Sequence, residues 1–323
     1  MRFSLVVPFY NSKDYFSTCI ESLLAQTYLK RHARNVEIIL VDNNSTDGTN
    51  LLASQYARQS ARKYNHLIKI LRCSTWGASA ARNLGIRVAK GDYVWCIDSD
   101  DWIEPDALEK LAAKLDKPKT SPDVVTFCAI KDYDAGVAKR GKAVLKSVGK
   151  GQKDWQNRFV MYGFGPWQYI ARRKWLLDNE LFFDEGIIHE DMALISSFVL
   201  YSRDIYALDD TLYHYVQRSQ SVLHRKEWNP HAFDIFPALK KLHRRFERQG
   251  YKYSDALEYF FIWNLLLDST RNFKQFPEGK PGLKRIRHMM CEYYPNWRHN
   301  TYLKNKPLKF RLRCRLAYRG ITR

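Results

Sequence analysis

The 323-residue chain is long enough for one large domain, or for one domain with a smaller appendage. Hydrophobic residues make up 45% of it and charged residues 27%, which is typical of a globular protein and excludes a largely disordered chain. The formal net charge of +19 predicts an anionic partner, and charge alone leaves nucleic acid, lipid headgroups and an acidic substrate open.

Strands and helices alternate through the first half of the chain. Short apolar runs rich in β-branched residues predict buried strands, and the segments between them have helical spacing. Because such alternation needs crossover connections, it predicts an α/β fold with a mostly parallel central sheet flanked by helices. The predicted strands are residues 3–7, 36–41, 66–71, 93–97 and 123–128, and the predicted helices carry Tyr15 to Gln26, begin at Asp47, span 77–89 and begin at Pro105.

The pattern changes in the second half. Residues 131–153 are rich in Lys and Gly and predict a loop with a weak edge hairpin, and a helix is predicted over 192–201. From Trp228 onward the sequence predicts only helices, rich in Lys, Arg and aromatic residues. We therefore predict a larger domain over residues 1–225 and a basic helical C-terminal region over 226–323.

Three features predict a cytoplasmic protein that does not cross a membrane. The six cysteines show no C-x-x-C spacing, which argues against a zinc site and against a disulfide framework. The first apolar run stops at Pro8 and is too short for a signal-peptide core. The longest later run, residues 259–267, is less than half of a membrane span.

The strongest candidate site follows the fourth predicted strand. Asp98-Ser99-Asp100 places carboxylates on alternate residues at the strand end, where α/β sheets bind ligands. Such oxygen ligands suit Mg²⁺ or Mn²⁺, which would bridge to the phosphates of a nucleotide. A solvated acidic turn is the alternative. The same spelling in Asp132-Tyr133-Asp134 lies in a Lys-rich loop, and we assign it no metal-binding role.

Other strand ends are expected to converge on the same crevice. Asp42 ends the second strand. It either accepts a hydrogen bond from a ribose hydroxyl or a base N–H, or it belongs to a polar turn. We assign the turn role to Asp47. Arg82, one turn into the helix over 77–89, either reaches a diphosphate or base or is a solvated surface charge. Pro8 and Tyr10 follow the first strand.

A second candidate set lies later in the chain. In His189-Glu190-Asp191, a carboxylate is either a general base for an acceptor hydroxyl or a favourable charge at a helix start. Arg218 is either a phosphate clamp or a loop cation, and His214 is interpreted as a packed polar residue. The G-x-x-x-x-G-K-[ST], G-x-G-x-x-G and G-x-S-x-G motifs are missing, which weakens kinase-type, dehydrogenase and hydrolase functions.

The end of the chain is strongly basic. The last 23 residues, from Thr301, contain eight Lys or Arg and no acid. Within them, Lys309 to Leu316 mixes cations with apolar side chains, which favours docking on an anionic membrane surface at about 1 kcal/mol per basic residue. A solvated basic tail is the alternative.

These segments together resemble the family 2 glycosyltransferases (GT2), inverting enzymes of GT-A fold that include many bacterial polysaccharide and lipopolysaccharide enzymes. The resemblance covers roughly residues 3–222 and is densest from Phe3 to Leu111. The segments that carry it are Ser4 to Asn11, Leu23 to Thr27, Asp42 with Ser45 to Thr49, Gly77 with Ala81 to Gly85, and Gly91 to Tyr93 leading into Asp98 to Asp101.

The resemblance implies a Rossmann-like GT-A fold and a nucleotide-sugar donor, most commonly a UDP-sugar, bound with Mn²⁺ or Mg²⁺. It implies that the donor's nucleotide is held by residues of the strand ends, and that Asp191, paired with Glu190, is the catalytic base. Asp100 would ligate the metal directly, and Asp98 would contact the ribose or the metal. The remaining donor contacts implied are Pro8, Tyr10 and Asp42 for the nucleoside, Arg82 for the base or diphosphate, Ser99 beside Asp98 for the nucleotide, and Arg218 for the diphosphate.

The chain departs from the family pattern in three places. Asp42-Asn43-Asn44 stands where two acids and a Gly are usual, and Thr75 stands where an Asn commonly precedes Gly77 by two residues. A second acidic contact to the nucleoside is therefore not expected. The Gln-x-x-Arg-Trp motif of processive synthases is missing, as are membrane spans, so transfer of a single sugar is expected.

The expected function is transfer of one sugar, with inversion, to a saccharide or lipid-linked acceptor during synthesis of lipopolysaccharide, capsule or exopolysaccharide. The expected location is the inner face of the cytoplasmic membrane. A nucleotidyltransferase is one alternative, although it would need a Gly-rich, cationic loop after the first strand. A nucleic-acid-binding protein is the other, but no nucleic acid is expected because the cations concentrate late in the chain, away from the predicted site.

Overall fold

The computed structural model describes residues 3–64, 67–116, 121–133, 143–162, 164–217 and 227–320. The chain divides into two compact units and passes between them more than once. The first unit comprises residues 1–152, 165–186 and 202–224, and the second comprises 153–164, 187–201 and 225–323. The last passage is adjacent to the domain boundary predicted at residue 225, which remains a prediction.

One sheet organises the first unit. In the described residues its strands are β1 (Phe3–Phe9), β2 (Val36–Asp42), β3 (Ile68–Arg72), β4 (Tyr93–Cys96), β5 (Trp102–Ile103), β6 (Val124–Tyr133), β7 (Ala143–Leu145), β8 (Tyr169–Arg172) and β9 (Ile205–Gln217). Their spatial order is β3-β2-β1-β4-β8-β6-β9-β5, and β7 pairs with β6 outside this path.

The first half of this sheet is parallel, as the alternation of strands and helices predicted. β1 pairs in parallel with β2 on one side and with β4 on the other, and β2 pairs with β3. β1 is buried along its whole length, which explains its almost continuous apolar sequence. The carboxyl ends of these four strands therefore lie at one edge of the sheet.

The second half makes the sheet mixed, where the sequence predicted a mostly parallel one. β8 is antiparallel to both β4 and β6, and β5 is antiparallel to β9. β6 and β9 pair in parallel, with register shifts around Cys128. The predicted α/β class with flanking helices is confirmed. The antiparallel pairings were not predicted, because no crossover helix marks them in the sequence.

The helices begin close to the predicted positions. Asp47 accepts a hydrogen bond at Oδ1 from the Thr49 N–H (2.9 Å) at the start of one of them, in the turn role assigned to it. The helices are α1 (Lys13–Leu24), α2 (Leu29–His32), α3 (Thr49–Tyr64), α4 (Ala78–Val88), α5 (Ala107–Leu115), α6 (Trp155–Tyr162), α7 (Arg173–Asp178), α8 (Glu190–Ile195), α9 (Phe198–Tyr201), α10 (Ile235–Arg248), α11 (Ser254–Phe261), α12 (Thr270–Phe273), α13 (Lys280–Tyr293), α14 (Thr301–Lys304) and α15 (Leu308–Arg319).

The second unit is helical throughout its described residues, as predicted from Trp228 onward. The helix predicted over 192–201 is divided into α8 and α9. α11 continues into α12 through a π-helical segment, Ile262–Ser269. The hydroxyl of Thr270, at the start of α12, donates to the Leu265 carbonyl of this segment (2.8 Å). No helix of the described residues is both long and apolar enough to cross a bilayer.

Candidate functional site

A cavity of about 420 Å³ opens in the first unit at the carboxyl ends of β1 and β4. Six of the predicted nucleotide- and metal-binding residues lie in its wall, although they come from three separate segments of the chain. This convergence is the one expected for strand ends that share an edge of a parallel sheet. The lining residues are Pro8, Phe9, Tyr10, Ser12, Tyr15, Asn43, Ala78, Arg82, Asp98, Ser99 and Asp100.

Two loops of this cavity are joined by a pair of hydroxyls. Ser12, just after β1, has its Oγ 2.8 Å from the Oγ of Ser99 in the acidic loop after β4. The Ser12 N–H also donates to Thr49 Oγ1 (2.9 Å) at the start of α3. Tyr10, between these contacts and the end of β1, keeps 50% of its surface exposed. An exposed aromatic ring beside a fixed loop is suited to contact a planar base.

Arg82 forms an ion pair inside the cavity and is not a solvated surface charge. Its Nη2 lies 2.7 Å from Asp98 Oδ1, and only 6% of the Arg82 side chain is exposed against 25% for Asp98. The guanidinium carbon also lies 5.3 Å from the centre of the Phe183 ring, within cation–π range. The pair fixes a cation and a partly accessible carboxylate next to each other in the cavity wall.

Asp101 anchors the acidic loop to β9. This residue was not identified from the sequence as part of the site. Its Oδ2 accepts from the Tyr213 hydroxyl (2.6 Å), and its Oδ1 accepts from the Val216 N–H (2.8 Å), both on β9. Burial, together with the charges of Asp100 and Asp98, raises the pKa of Asp101 well above its ordinary value. The Asp98 N–H donates to the same Tyr213 oxygen (3.2 Å), so the loop is tied to β9 at two points.

Asp42 and Asn43 lie next to each other at the end of β2 and make different contacts. Asp42 is buried, accepts at Oδ1 from the Ser45 N–H (2.8 Å), and does not line the cavity. Asn43 does line it, accepting from the Gly77 N–H (2.7 Å) and donating to the Thr75 carbonyl (2.7 Å). The sequence could have indicated Asn43 as a site residue, because it occupies a position where the family usually has an acid.

The donor set at Asp98 and Asp100 fits a divalent metal. Both residues line the same cavity, and Mg²⁺ or Mn²⁺ is commonly held by one or two carboxylates while phosphates and waters complete the coordination. The described residues contain no group of three or more His, Cys, Asp or Glu side chains arranged as a metal cage. A site of two carboxylates is therefore one that a nucleotide's phosphates would have to complete.

Asp132, the first acid of the second D-x-D spelling, belongs to a polar cluster around the buried His214. Asp132 Oδ2 lies 2.6 Å from His214 Nδ1, and Glu104 Oε1 lies 2.7 Å from His214 Nε2. The His214 ring stacks on Trp102, with ring centres 3.4 Å apart. Asp134 lies outside the described residues. His214 is thus a packed polar residue, as interpreted from the sequence.

A second cavity, of about 810 Å³, lies within the second unit. Asp191 is in its wall and half-buried, whereas Glu190, the other member of the predicted pair, is not among the lining residues. Burial lowers the pKa of the neighbouring His189, against the opposing charges of Glu190 and Asp234. The walls are rich in aromatic residues, namely Tyr162, Phe164, Tyr259, Phe260, Trp263 and Tyr302, with Arg158 and Lys306 as cations.

Arg218, the predicted diphosphate contact, lies outside the described residues. The structure therefore gives no position for this side chain. Of the other predicted site residues, Asp191 lies at the second cavity, Glu190 precedes it at the start of α8, and Asp42 lies at the end of β2. The first cavity contains Pro8, Tyr10, Arg82, Asp98, Ser99 and Asp100.

The chain matches a family model described as Glycosyl transferase family 2 over residues 4–181. Among curated proteins it is similar to glycosyltransferase GlyG of Streptococcus pneumoniae, with 27% identity over 246 residues, covering 72% of this chain and 77% of GlyG.

Two solved structures show the same fold. S. aureus TarS 1-349 in complex with UDP-GlcNAc superposes with a TM-score of 0.76 and 20% identity, covering 99% of this chain and 90% of that one. Mannosyltransferase PcManGT from Pyrobaculum calidifontis, in complex with GDP-Man and Mn²⁺, superposes with a TM-score of 0.54 and 14% identity, covering 98% and 86%.

Proposed function

The chain belongs to glycosyl transferase family 2, and from that premise we propose that it transfers a single sugar from a nucleotide-sugar donor in the first cavity. The observation that carries the proposal is the arrangement of Arg82, Asp98 and Asp100 around one cavity at the ends of parallel strands. The chain is a glycosyltransferase, so the nucleotidyltransferase and nucleic-acid-binding alternatives are set aside.

We propose that the donor is a UDP-sugar. The TarS structure is a complex with UDP-GlcNAc and the PcManGT structure is a complex with GDP-Man, so the fold accommodates either base. In this chain Tyr10 and Pro8 would contact the nucleoside, with Ser99 beside them, and Asp42 would act from the end of β2 by holding the turn to Ser45. Arg82 would donate to the diphosphate while remaining paired with Asp98.

A divalent metal, Mn²⁺ or Mg²⁺, would be held by Asp100 and Asp98. Bound there, it would neutralise charge on the departing diphosphate. Arg82 supplies a fixed positive charge in the same wall of the cavity. Because its guanidinium is already in place, it could stabilise the negative charge that develops on the diphosphate without moving. Arg218 is proposed as a further diphosphate contact on the strength of the family resemblance alone.

We propose that the second cavity receives the acceptor, with Asp191 as the general base. A half-buried carboxylate in a cavity can take the proton of an acceptor hydroxyl as that oxygen attacks the anomeric carbon. Because this oxygen attacks the face opposite the nucleoside diphosphate, the diphosphate leaves with its bonding electrons and the anomeric centre is inverted. The exposed faces of Tyr162 and Trp263 offer flat apolar platforms for sugar rings, and Glu190 would support Asp191 from the same helix start.

The acceptor is proposed to be a saccharide or a lipid-linked saccharide in cell-surface polysaccharide synthesis. Transfer of one sugar is favoured because the processive motif is missing from the sequence. The eight cations of the last 23 residues support a peripheral location on an anionic membrane, at its cytoplasmic face.

Asp100→Asn and Asp191→Asn test the two roles separately, with UDP-sugars and Mn²⁺ present. Asp100→Asn is expected to lower both donor hydrolysis and transfer by about 100-fold or more, because the metal loses a ligand. Asp191→Asn is expected to bind donor normally while transfer falls by about 10²–10⁴-fold, the usual worth of a general base. The measurement is release of nucleoside diphosphate with UDP-, GDP- and dTDP-sugars, with and without acceptor.

The matched control is Asp178→Asn. Asp178 is a half-exposed carboxylate on α7 that pairs with Lys174 (3.0 Å), so its loss is expected to leave both reactions unchanged. Wild-type rates in both test variants would overturn the site assignment.

A further inference from the structure

The C-terminal helix α15 carries two apolar stripes, each with a spacing of four residues. One stripe packs inward: Phe310 stacks on Trp263 with ring centres 5.7 Å apart, and Cys314 is fully buried. The other stripe, Leu308, Leu312 and Leu316, is exposed by 59%, 44% and 64%. Because residues at i, i+4 and i+8 lie along one face of a helix, these leucines form a continuous apolar ridge.

Beside this ridge runs a groove of about 940 Å³ within the second unit. Its lining surface is mostly apolar and is formed by residues of α15, the π-helical segment and α12. Four cations line it, and its lining includes no Asp or Glu. The four cations are Arg271, Lys274, Lys309 and Arg313.

We propose that this groove binds the hydrocarbon chain of an anionic membrane lipid, with the phosphate of its headgroup held by the cations at the groove. The proposal deepens the membrane contact of the proposed function by giving it a specific site. Charge complementarity selects this occupant, because an apolar floor with cations and no acids matches an anionic amphiphile. A soluble acidic partner would satisfy the cations but would leave the leucine ridge in water.

The charges are arranged for a headgroup at the mouth of the groove. Lys309 and Arg313 lie one helical turn apart on α15, and Arg271 and Lys274 face them from α12 and the residue after it. Arg271 is two-thirds exposed and lies 3.8 Å from Asp268, an ion pair too loose and too exposed to cancel its charge. Both sides of the groove therefore present a cation to the same ligand.

The first experiment measures binding of the full-length protein to vesicles, without donor or metal, so that it does not depend on the sugar-transfer chemistry. Vesicles of phosphatidylcholine alone are compared with vesicles containing one third phosphatidylglycerol. Leu312→Ser/Leu316→Ser is expected to weaken binding to the anionic vesicles by at least about tenfold, through loss of apolar insertion. Lys309→Gln/Arg313→Gln is expected to weaken it about 30-fold, through loss of two basic residues near the surface.

Each double variant has a matched control elsewhere on the surface. Leu51→Ser removes a leucine that is 67% exposed on α3, and Lys30→Gln/Arg31→Gln removes two exposed cations on α2. Both controls are expected to bind vesicles as the wild type does. Wild-type binding by the leucine variant, or an equal loss in the controls, would overturn the proposal in favour of general charge attraction.

A second experiment separates a chain-binding groove from a simple phosphate site or a protein interface. Decyl phosphate, below its micelle concentration, is expected to raise the melting temperature of the wild type and not that of Leu312→Ser/Leu316→Ser. Inorganic phosphate at the same concentration is expected to leave both unchanged. An equal shift with inorganic phosphate, or a leucine-dependent dimer in sedimentation, would contradict the proposal.

Discussion

The carboxylate of Asp98 has one neighbour that stabilises its charge and one that opposes it. Arg82 lies at hydrogen-bond distance, whereas Asp100 lines the same cavity two residues away. Asp101 adds a third acid beneath them, held by Tyr213 and the Val216 N–H. Asp98 and Asp100, with Arg82 as the one paired cation, leave this wall of the cavity with a net negative charge, which favours a bound cation.

His189 provides a prediction about pH. Burial lowers its pKa in the folded protein, so below the ordinary pKa of about 6.5 the unfolded chain binds more protons than the folded one. The stabilising contribution of neutral His189 is therefore complete above that value and is lost as the pH falls below it. His189→Asn, which suits the left-handed backbone there (φ 71°), is expected to reduce the loss of unfolding free energy between pH 7.5 and 5.5, measured by urea denaturation.

The control for this prediction is His288→Asn, which removes a mostly exposed histidine on α13. Its pH profile is expected to follow the wild type. An unchanged profile in His189→Asn would show that the buried ring does not carry the effect.

Among the elements, α4 depends on its closeness to the sheet. A Cβ at Gly85 would lie 2.2 Å from Cγ1 of Val6 on β1. Gly85→Ala should gain about 1 kcal/mol of helix propensity, but the clash is expected to outweigh this and give a net destabilisation of about 1–3 kcal/mol in chemical denaturation.

The compensating variant distinguishes the clash from other causes. In Val6→Ala/Gly85→Ala the obstructing methyl groups are gone, so the second substitution should cost much less than it does in the wild type. Strict additivity of the two substitutions would contradict close packing as the reason for this glycine.

The parallel half of the sheet could be predicted because β1, β2 and β4 are buried apolar runs bounded by turn residues. β5 could not, since two residues cannot show an alternation, and its existence depends on pairing with β9. The sequence signal for β9 is weak, because buried and half-exposed side chains do not alternate regularly along Ile205–Gln217. The π-helical segment depends on packing against α15, which local sequence does not encode.

The candidate site was more predictable than the sheet order. Six of its residues follow two strands or begin a helix, and the rule that parallel strands share an edge places them together. Asp101 was missed because its partners, Tyr213 and Val216, are distant in sequence. Asn43 was treated as a departure from the family pattern, although its amide connects β2 to the start of α4.

For the whole molecule, ligand binding and stability are linked. UDP at about 100 times its dissociation constant is expected to raise the free energy of unfolding by about 2.7 kcal/mol, because it binds only the folded chain. The increase should need Mn²⁺ or Mg²⁺ if, as proposed, Asp98 and Asp100 hold the phosphates through a metal. Thermal unfolding with UDP, in Mn²⁺ and in a chelator, measures both effects.

Asp100→Asn should lose the metal-dependent part of this increase, and Asp178→Asn should keep it. The same stabilisation by UDP in chelator as in Mn²⁺ would argue that the acidic loop holds the nucleotide without a metal.

The interleaving of the two units has a consequence for synthesis on the ribosome. α6, α8 and α9 are synthesised before the other helices of their unit. For example, the Ala193 carbonyl accepts a hydrogen bond from Arg245 (2.7 Å), which is synthesised 52 residues later. Translation adds about 5–20 residues per second, so several seconds pass before the later helices follow. During this time the nascent chain exposes apolar side chains that are buried in the folded protein, such as Phe159 and Phe198. Slow or interrupted translation of the last hundred codons would therefore prolong an aggregation-prone state, and gene fragments that stop near residue 225 would make it permanent.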